Sequence, residues 1–299
     1  MDRKYYRMQI AALFFWALSF LSWNCSDTKQ LLPEHPAIAD NQFRVASYNI
    51  RYRADADEQS GNGWDLRKGP LAKLIISHQF DLVGTQEGYD NQLEDLKGLM
   101  PGFSYVAHRY GGTKVNHNWA IFYKPSLFEG LDSGVFWLSE TPDVPSIGWD
   151  ANDQRICQWV KFKVKKTGKS FYFFNAHFYW RLKVAKEESG PLMARKVKEI
   201  AGDAPVICTG DFNSTAETSQ IIAIKKILSD AYDITKKPRE GVENTNMSGG
   251  VFQGQPVNRI DYIFLSRHFT VEDYKVLSDR YADDRYPSDH LPVTSLLTF

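Results

Sequence analysis

Residues 204–213 organise the rest of the chain, and they read Ala204-Pro205-Val206-Ile207-Cys208-Thr209-Gly210-Asp211-Phe212-Asn213. The first six predict a buried strand, because the run is short, apolar and closed by glycine. Alternate side chains of an extended chain share a face, so Asp211 and Asn213 are predicted to point at one spot. A carboxylate beside an amide suits magnesium-assisted phosphate chemistry. Taken alone, the same residue types also fit an ordinary turn.

The composition limits the class of protein. The chain has 299 residues, of which 43% are hydrophobic and 14% aromatic, enough for one large domain or two small ones with a substantial core. Its formal net charge is +0. Proteins that hold long nucleic acids without sequence preference usually carry a basic surplus. The charge balance therefore argues against that class, although a neutral total still permits a local basic patch.

The N-terminus has the pattern of a targeting segment. Arg3, Lys4 and Arg7 give a positive start, and an almost wholly apolar run follows at residues 10–21. That run is too short for a comfortable membrane span, so it is typical of a signal peptide. Cys25 comes shortly afterwards, at the place of a bacterial lipoprotein processing site.

We therefore expect three segments. Residues 1–25 are predicted to be a signal peptide of the lipoprotein type, although the residues just before Cys25 are bulkier than is usual. Residues 26–41 hold prolines and charges without periodicity and predict a tether, and residues 42–299 predict the folded domain. The protein is expected to be exported, as a periplasmic or cell-envelope lipoprotein that contacts the membrane through a lipid on Cys25.

The folded domain alternates many strand patterns with few helical ones. Strands are predicted at residues 43–50, 80–86, 105–107, 119–123, 134–138, 156–164, 171–176, 204–209, 259–265 and 291–297. Helices are predicted at residues 71–78, 91–99, 184–201 and 221–228, with a kink in the third at Gly190-Pro191 and a loop carrying Trp64 at residues 51–69. The pattern predicts an α/β fold of two packed sheets flanked by helices. Cys157 and Cys208 lie in strand patterns and are expected to be buried free thiols without metal-ligand spacing.

Several predicted strands end in a polar side chain that suits a metal-phosphate site. These residues are Asn49, Glu87, His177, Asp211 with Asn213, Asp261, and Asp289 with His290. One carboxylate at a strand end carries no information. A set spread over the whole domain, each member after an apolar run, predicts strand ends that converge on one cleft.

Six motifs carry a family resemblance. They are Ser47-Tyr48-Asn49-Ile50, Thr85-Gln86-Glu87, Asn175-Ala176-His177, Gly210-Asp211-Phe212-Asn213, Arg259-Ile260-Asp261-Tyr262-Ile263-Phe264 and Pro287-Ser288-Asp289-His290-Leu291-Pro292-Val293, in this order. Together they resemble the endonuclease/exonuclease/phosphatase superfamily of metal-dependent phosphoesterases. The resemblance covers about residues 43–299. It implies a four-layered sandwich, with two packed mixed β-sheets between helices, and magnesium-dependent hydrolysis of a phosphate ester at one end of the sheets.

The resemblance also implies a role for each motif. Glu87 matches the main metal ligand, with Asn49 beside it and Asp289 as a second carboxylate, for Mg²⁺ or alternatively Mn²⁺. Asp211 and Asn213 match the pair that orients the attacking water and binds the phosphate or a second metal.

Two histidines and an arginine complete the implied site. His290 matches a histidine paired with a carboxylate, here Asp261, which would fix its tautomer and stabilise its cation. His177 matches a second histidine near the phosphate or leaving group. Arg155 resembles a phosphate-contacting arginine, a role that suits a bidentate guanidinium.

The chain is most similar to exported bacterial members of the superfamily, and it departs from them at two places. Those members share a Trp-Leu-Ser-Glu-Thr-Pro segment, here residues 137–142. Phe178-Tyr179-Trp180 follows the second histidine where Leu-Asp-His is usual, and His117-Asn118-Trp119 stands where a glutamate is usual. Without that glutamate, His177 is expected to be neutral at pH 7 and a poor general acid. The side chains of Trp64, Trp149 and Trp180 would either wall a substrate pocket or pack as ordinary core and rim.

We therefore expect an exported, monomeric, magnesium-dependent phosphoesterase in which water attacks phosphorus in line. Its substrate would be a small or lipid-linked phosphate ester or an oligonucleotide. A secreted nuclease acting on DNA or RNA is the alternative among enzymes. A surface binding protein that keeps the fold without the activity is the alternative of another class.

Overall fold

Two mixed β-sheets form the centre of the computed structural model, which describes residues 39–110 and 117–299. The strands in these ranges are β1 (Gln42–Asn49), β2 (Leu82–Tyr89), β3 (Ser104–Arg109), β4 (His117–Tyr123), β5 (Phe128–Trp137), β6 (Ile156–Val164), β7 (Ser170–His177), β8 (Val206–Asp211), β9 (Ser229–Asp230), β10 (Glu240–Gly241), β11 (Asp261–Leu265), β12 (Thr270–Val271), β13 (Lys275–Val276) and β14 (Val293–Thr298). The helices are α1 (Asp55–Gln59), α2 (Trp64–Ser77), α3 (Asp90–Leu99), α4 (Lys183–Ala201), α5 (Ser219–Lys225) and α6 (Ala231–Ile234), with a 3-10 turn at Ala282–Asp284.

Each sheet has a parallel pair of strands near its centre. The first sheet runs β10-β13-β14-β1-β2-β4-β3, with β12 also paired to β14, and the second runs β5-β6-β7-β8-β11-β9. β1 and β2 are parallel, as are β7 and β8. Parallel strands end at the same edge of a sheet. In the observed register, Asn49 pairs with Gln86 and His177 pairs with Asp211. The register therefore places polar strand ends side by side.

The alternation of side chains builds three of the four hydrophobic clusters among the described residues. Val45 of β1 and Phe173 of β7 point between the sheets, whereas their neighbours Ala46 and Phe174 point outward. The outward face of the first sheet packs on α2 and α3, and that of the second packs on α4 and α5. This arrangement is the predicted four-layered sandwich, which is confirmed.

The segment predicted as a loop at residues 51–69 is largely helical, so that prediction is wrong. It contains α1 and the first turns of α2, which begins at Trp64. The Trp64 ring is fully buried, and its Nε1 donates to Asp95 at 2.8 Å. Gly63 and Pro70 made the segment look irregular, but burial of Trp64 fixes the helix. Trp64 is therefore a core residue and does not wall a pocket.

The helix α4 continues without interruption through Pro191, so the expected kink does not divide it. Gly190 explains part of its packing. A Cβ at this position would lie 2.4 Å from the Gln220 Cα, so only glycine lets α4 approach α5 this closely.

The two described cysteines, Cys157 and Cys208, are buried free thiols, as expected. The predicted signal peptide and most of the predicted tether lie outside the described residues. Among the helices that the structure describes, none has the length and apolarity needed to cross a membrane.

Candidate active site

The predicted site residues meet at the strand ends, around a cleft of about 450 Å³. Seven of them line it: Glu87, Arg155, His177, Asp211, Asn213, Asp289 and His290. The other two, Asn49 and Asp261, are completely buried and hydrogen-bond to the lining residues. The structure thus brings all nine predicted side chains together.

His290 and Asp261 form a buried histidine–carboxylate pair. The Nδ1 of His290 lies 2.9 Å from the Asp261 Oδ2, so Nδ1 carries a proton and Nε2 faces the cleft. Burial alone would lower the pKa of His290, but the carboxylates of Asp261 and Asp211 outweigh it and raise that pKa well above its ordinary value. Thr245, which sequence reasoning missed, donates its hydroxyl to the same Asp261 oxygen at 2.6 Å. The pair is therefore held in one orientation.

Asp211 lies between the two histidines. Its Oδ2 is 3.3 Å from the His177 Nε2 and 3.7 Å from the His290 Nε2, and it also accepts from the Asn49 amide at 3.1 Å. Its Oδ1 accepts from the Asn213 backbone at 2.9 Å. Burial is the main cause that raises the pKa of Asp211 to about 7. A carboxyl group with that pKa can accept and release a proton near neutrality.

Asp211, Asp261 and His290 also offer atoms within 4.8 Å of one another, the spacing of a small metal site. The Asp261 Oδ2 is occupied by Thr245 and His290, whereas its Oδ1 is buried and has no hydrogen-bond partner among the described residues. A second group of carboxylates also lines the cleft.

That group consists of Glu87 and Asp289. The Asn49 amide connects it to Asp211, because it donates to both Glu87 and Asp211. The Asn49 amide donates to the Glu87 Oε1 at 3.0 Å. The Oδ1 of Asp289 is buried and has no hydrogen-bond partner among the described residues. The nearest cation to its Oδ2 is the Arg51 Nη1, at 3.6 Å. Carboxylate oxygens, one of them without a donor, fit a hard divalent cation.

His177 has a different partner from the one that its sequence neighbourhood indicated. Its Nδ1 lies 3.2 Å from the Arg155 Nη1, and a guanidinium can only donate, so Nδ1 accepts and the proton sits on Nε2. The usual glutamate is missing, but the parallel register of β7 and β8 places the Asp211 carboxylate beside the other nitrogen of His177. Burial, with the charge of Arg155, lowers the pKa of His177 well below its ordinary value. His177 is therefore neutral near pH 7, as the sequence predicted.

Arg67 is a buried residue of the site that sequence reasoning missed. It is 0% exposed, and its guanidinium donates to the carbonyls of Ile50, Arg51, Tyr52, Asn62 and Pro287 at 2.9–3.4 Å. It thereby ties the end of β1 to the segment that carries Asp289 and His290. The apolar spacing of α2 gave no signal for an arginine on its buried face.

The remaining tryptophans divide between packing and the cleft. Trp149 is partly buried and packs against the core beneath the second sheet. Trp119 is fully buried beside the His177 ring, with 5.5 Å between the ring centroids. Trp180 is 52% exposed and lines the cleft. Of Trp64, Trp149 and Trp180, which were the predicted wall residues, only Trp180 lines the cleft.

Comparison with known proteins identifies the family. The model of the endonuclease/exonuclease/phosphatase family matches residues 46–290. The chain belongs to this family. A family protein of known structure from Bacteroides thetaiotaomicron is 40% identical, covers 86% of this chain and 98% of its own, and superposes with a TM-score of 0.81.

Other relatives differ in how much they imply. A mannosyl-6-phosphatase from Bacteroides thetaiotaomicron is also 40% identical, over 86% of this chain and 100% of its own, with a TM-score of 0.81. An uncharacterised protein of Acanthamoeba polyphaga mimivirus is 27% identical over 84% of this chain and 98% of its own. The human nocturnin catalytic domain, at 19% identity, 88% of this chain, 95% of its own and a TM-score of 0.69, shares the fold. Family membership and the complete site make the protein a phosphoester hydrolase.

Proposed function

We propose that the protein is a magnesium-dependent phosphatase that removes the phosphate group from a small phosphomonoester. One observation carries the proposal: His290, which Asp261 orients from behind, and Asp211 line the same cleft as Arg155, His177 and Asn213. The cleft volume of about 450 Å³ fits a small ligand. The 40% identity to a mannosyl-6-phosphatase supports a monoester as substrate.

Arg155, His177 and Asn213 are suited to bind the phosphate group. The nearest carboxylate to Arg155 is that of Asp153, 4.0 Å away, so the guanidinium keeps charge for an anion. The Nε2 proton of the neutral His177, which lies 3.3 Å from the Asp211 Oδ2, is the hydrogen-bond donor that we assign to the phosphate. Because His177 holds that proton as a neutral imidazole, its role is to orient the phosphate and it is a weak acid toward the leaving group.

Asp211 and His290 are suited to handle the water and the charge. Asp211 can accept a hydrogen bond from the attacking water and take its proton. The charged His290, held by Asp261, faces the same place and stabilises the negative charge that develops on the phosphate oxygens. A fixed donor in a buried site costs no reorganisation during the reaction, which is why such groups accelerate hydrolysis.

Glu87, Asp289 and Asn49 would hold the divalent cation. When bound, a magnesium ion supplies Lewis-acid stabilisation of charge on the phosphate. Arg51 lies against Asp289 and balances part of the negative charge of this group.

A phosphoester panel tests the proposal. We expect the purified protein to release phosphate from small monoesters with Mg²⁺, and to lose that activity with a chelator. Cleavage of oligonucleotides and plasmid DNA in preference to every monoester would support the nuclease alternative. No hydrolysis of any ester with Mg²⁺ or Mn²⁺ would contradict the enzyme and favour the binding protein.

Calorimetry tests the cation site separately from turnover. Glu87→Ala should weaken Mg²⁺ binding and nearly abolish turnover, since it removes the carboxylate that Asn49 and Tyr52 orient. The control is Glu129→Ala, an exposed glutamate of β5 paired with Lys163. Unchanged Mg²⁺ affinity in Glu87→Ala would contradict this assignment.

A further inference from the structure

Four aromatic side chains line the cleft outside the catalytic set, and we call three of them, Tyr52, Tyr110 and His117, the aromatic wall. The centroid of the His117 ring lies 4.9 Å from that of Tyr52 and 5.4 Å from that of Tyr110. Tyr89 supports it from behind at 4.7 Å. The rings therefore pack on one another along one side of the cleft.

The polar atoms of the wall are only partly used. The Tyr110 hydroxyl donates to the Asp153 Oδ2 at 3.1 Å. Within residues 39–110 and 117–299, no hydrogen bond is formed by the Tyr52 hydroxyl, the His117 ring nitrogens or the Asp153 Oδ1. Tyr52, His117 and Asp153 all line the cleft. Donors and acceptors therefore surround apolar ring faces at one place.

This wall adjoins the groups that act on the phosphate. The Tyr52 backbone donates to the Glu87 Oε2 at 3.3 Å, and Asp153 lies 4.0 Å from the Arg155 Nη2. A phosphate held by Arg155 and His177 would place the group esterified to it against the wall. The organic part of the substrate thus has a built surface beside the reacting atoms.

We propose that the aromatic wall, with Asp153 at its edge, is the subsite for the alcohol part of the substrate, and that this part is a neutral hydroxylated ring such as a hexose. Sugars combine CH groups that pack on aromatic faces with hydroxyls that donate to a carboxylate and accept from a phenol or imidazole. This inference rests on the proposed phosphatase function.

A nucleobase fits the wall less well. Stacking a base needs a flat open ring face. The wall does not present one flat surface, because the ring planes of Tyr52 and Tyr110 are tilted against that of His117 by 33° and 66°. The exposed Trp180 ring has the Arg181 guanidinium 4.0 Å from its centroid. The Asp153 carboxylate would also repel the further phosphates of a polynucleotide.

The test compares hexose 6-phosphate with 4-nitrophenyl phosphate, which has no hydroxyls, in Tyr52→Phe, His117→Phe and Asp153→Asn. Tyr52→Phe and Asp153→Asn keep the shape and remove a hydroxyl or a charge, and His117→Phe keeps an aromatic ring while removing both ring nitrogens. We expect the ratio of kcat/KM for the hexose ester to that for the aryl ester to fall roughly tenfold in each variant, the scale of one lost hydrogen bond. The control is Tyr105→Phe, a tyrosine of β3 outside the cleft, which should keep the ratio of the wild type.

Binding without turnover separates this inference from the phosphatase assignment. Saturation-transfer NMR with hexose 6-phosphate and Ca²⁺ should show ring-proton contacts in the wild type that weaken in Tyr52→Phe and Asp153→Asn. Such contacts in a protein that hydrolyses no monoester would refute the phosphatase and keep the subsite. An unchanged specificity ratio in all three variants, or a wild-type preference for nucleoside 5′-monophosphates over hexose phosphates, would overturn the subsite.

Discussion

Three cleft residues have left-handed backbone conformations that L-residues seldom adopt. The φ angles are +55° at Arg51, +69° at Glu87 and +47° at Asn213. Each such residue costs of order 1 kcal/mol or more, and this cost persists only where the surrounding structure enforces it. Glu87 lies at the irregular pairing of β2 with β4, between Thr85 and Gly88. Local strain therefore aims the side chains that the chemistry uses.

The His290–Asp261 pair gives a prediction at the level of single residues. His290→Ala should lower kcat by roughly 10²- to 10⁴-fold, because the cleft loses its charged imidazole. Asp261→Asn should cost less, since the imidazole remains but loses the carboxylate that orients it. Steady-state kinetics on the best monoester measures both. Near wild-type rates in both variants would show that the pair has no part in the reaction.

At the level of elements, buried charged groups fasten the strands to each other and to the loops. Arg67 of α2 joins the end of β1 to Pro287, and the Ser288 hydroxyl donates to the Asn49 carbonyl at 2.7 Å. At the other end of β1, Arg44 makes two hydrogen bonds to Asp273, at 2.9 and 2.7 Å. Each end of β1 is thus held by an arginine, but only the end held by Arg67 adjoins the site.

Arg67→Lys should weaken Mg²⁺ binding and lower stability by about 3 kcal/mol, because one ammonium cannot satisfy five carbonyls. Arg44→Lys is the matched control, since it replaces a guanidinium at the opposite end of β1, about 17 Å along the strand from Asn49. Calorimetric Mg²⁺ titration and thermal unfolding measure both effects. If both variants lose stability and neither loses Mg²⁺ affinity, Arg67 has no role in positioning the site.

Asp273 gives a pH prediction. Burial would raise the pKa of Asp273, but Arg44 outweighs it and holds that pKa below its ordinary value. A depressed carboxyl pKa stabilises the fold above the unfolded-state value of about 3.9 and loses that effect as pH falls through the folded-state value. Asp273→Asn should therefore cost about 3 kcal/mol at pH 7 and progressively less below about pH 4. Urea unfolding across pH measures this, with the exposed Asp132→Asn as control. A deficit independent of pH would contradict the ion pair.

At the level of the whole molecule, the hydrolase domain spans the described residues, and the segment before it is predicted to direct export. We propose that Cys25 is lipidated after cleavage of residues 1–24. The full chain expressed in a bacterial host should incorporate labelled palmitate, and Cys25→Ser should not. Cys157→Ser is the control, because Cys157 is buried in β6. An unlabelled wild type would contradict lipidation.

The sequence by itself predicted the fold class and the family, both of which are confirmed, and it predicted nine site residues that the structure brings together. Strand alternation is a local property, and Asn49, His177 and Asp211 each close an apolar strand, so both features can be read without knowing the partners. Asp261 instead begins β11, and Asp289 and His290 precede β14, so the expectation that these three also close a strand is wrong. The start of α2 escaped this reasoning, because burial of Trp64 fixes it against the local preference of Gly63 and Pro70.

Only the tertiary structure decided which groups meet within the site. Asp211 lies on His177 because β7 and β8 pair in parallel register, and Arg155 reaches the other nitrogen of that histidine from the segment before β6. The Arg67 guanidinium donates to the carbonyl of Pro287, which is 220 residues further along the sequence. Such contacts depend on register and packing between distant segments, and no local pattern encodes them. The sequence therefore determined the chemistry, and the packing decided the protonation states and the wall that would contact the substrate.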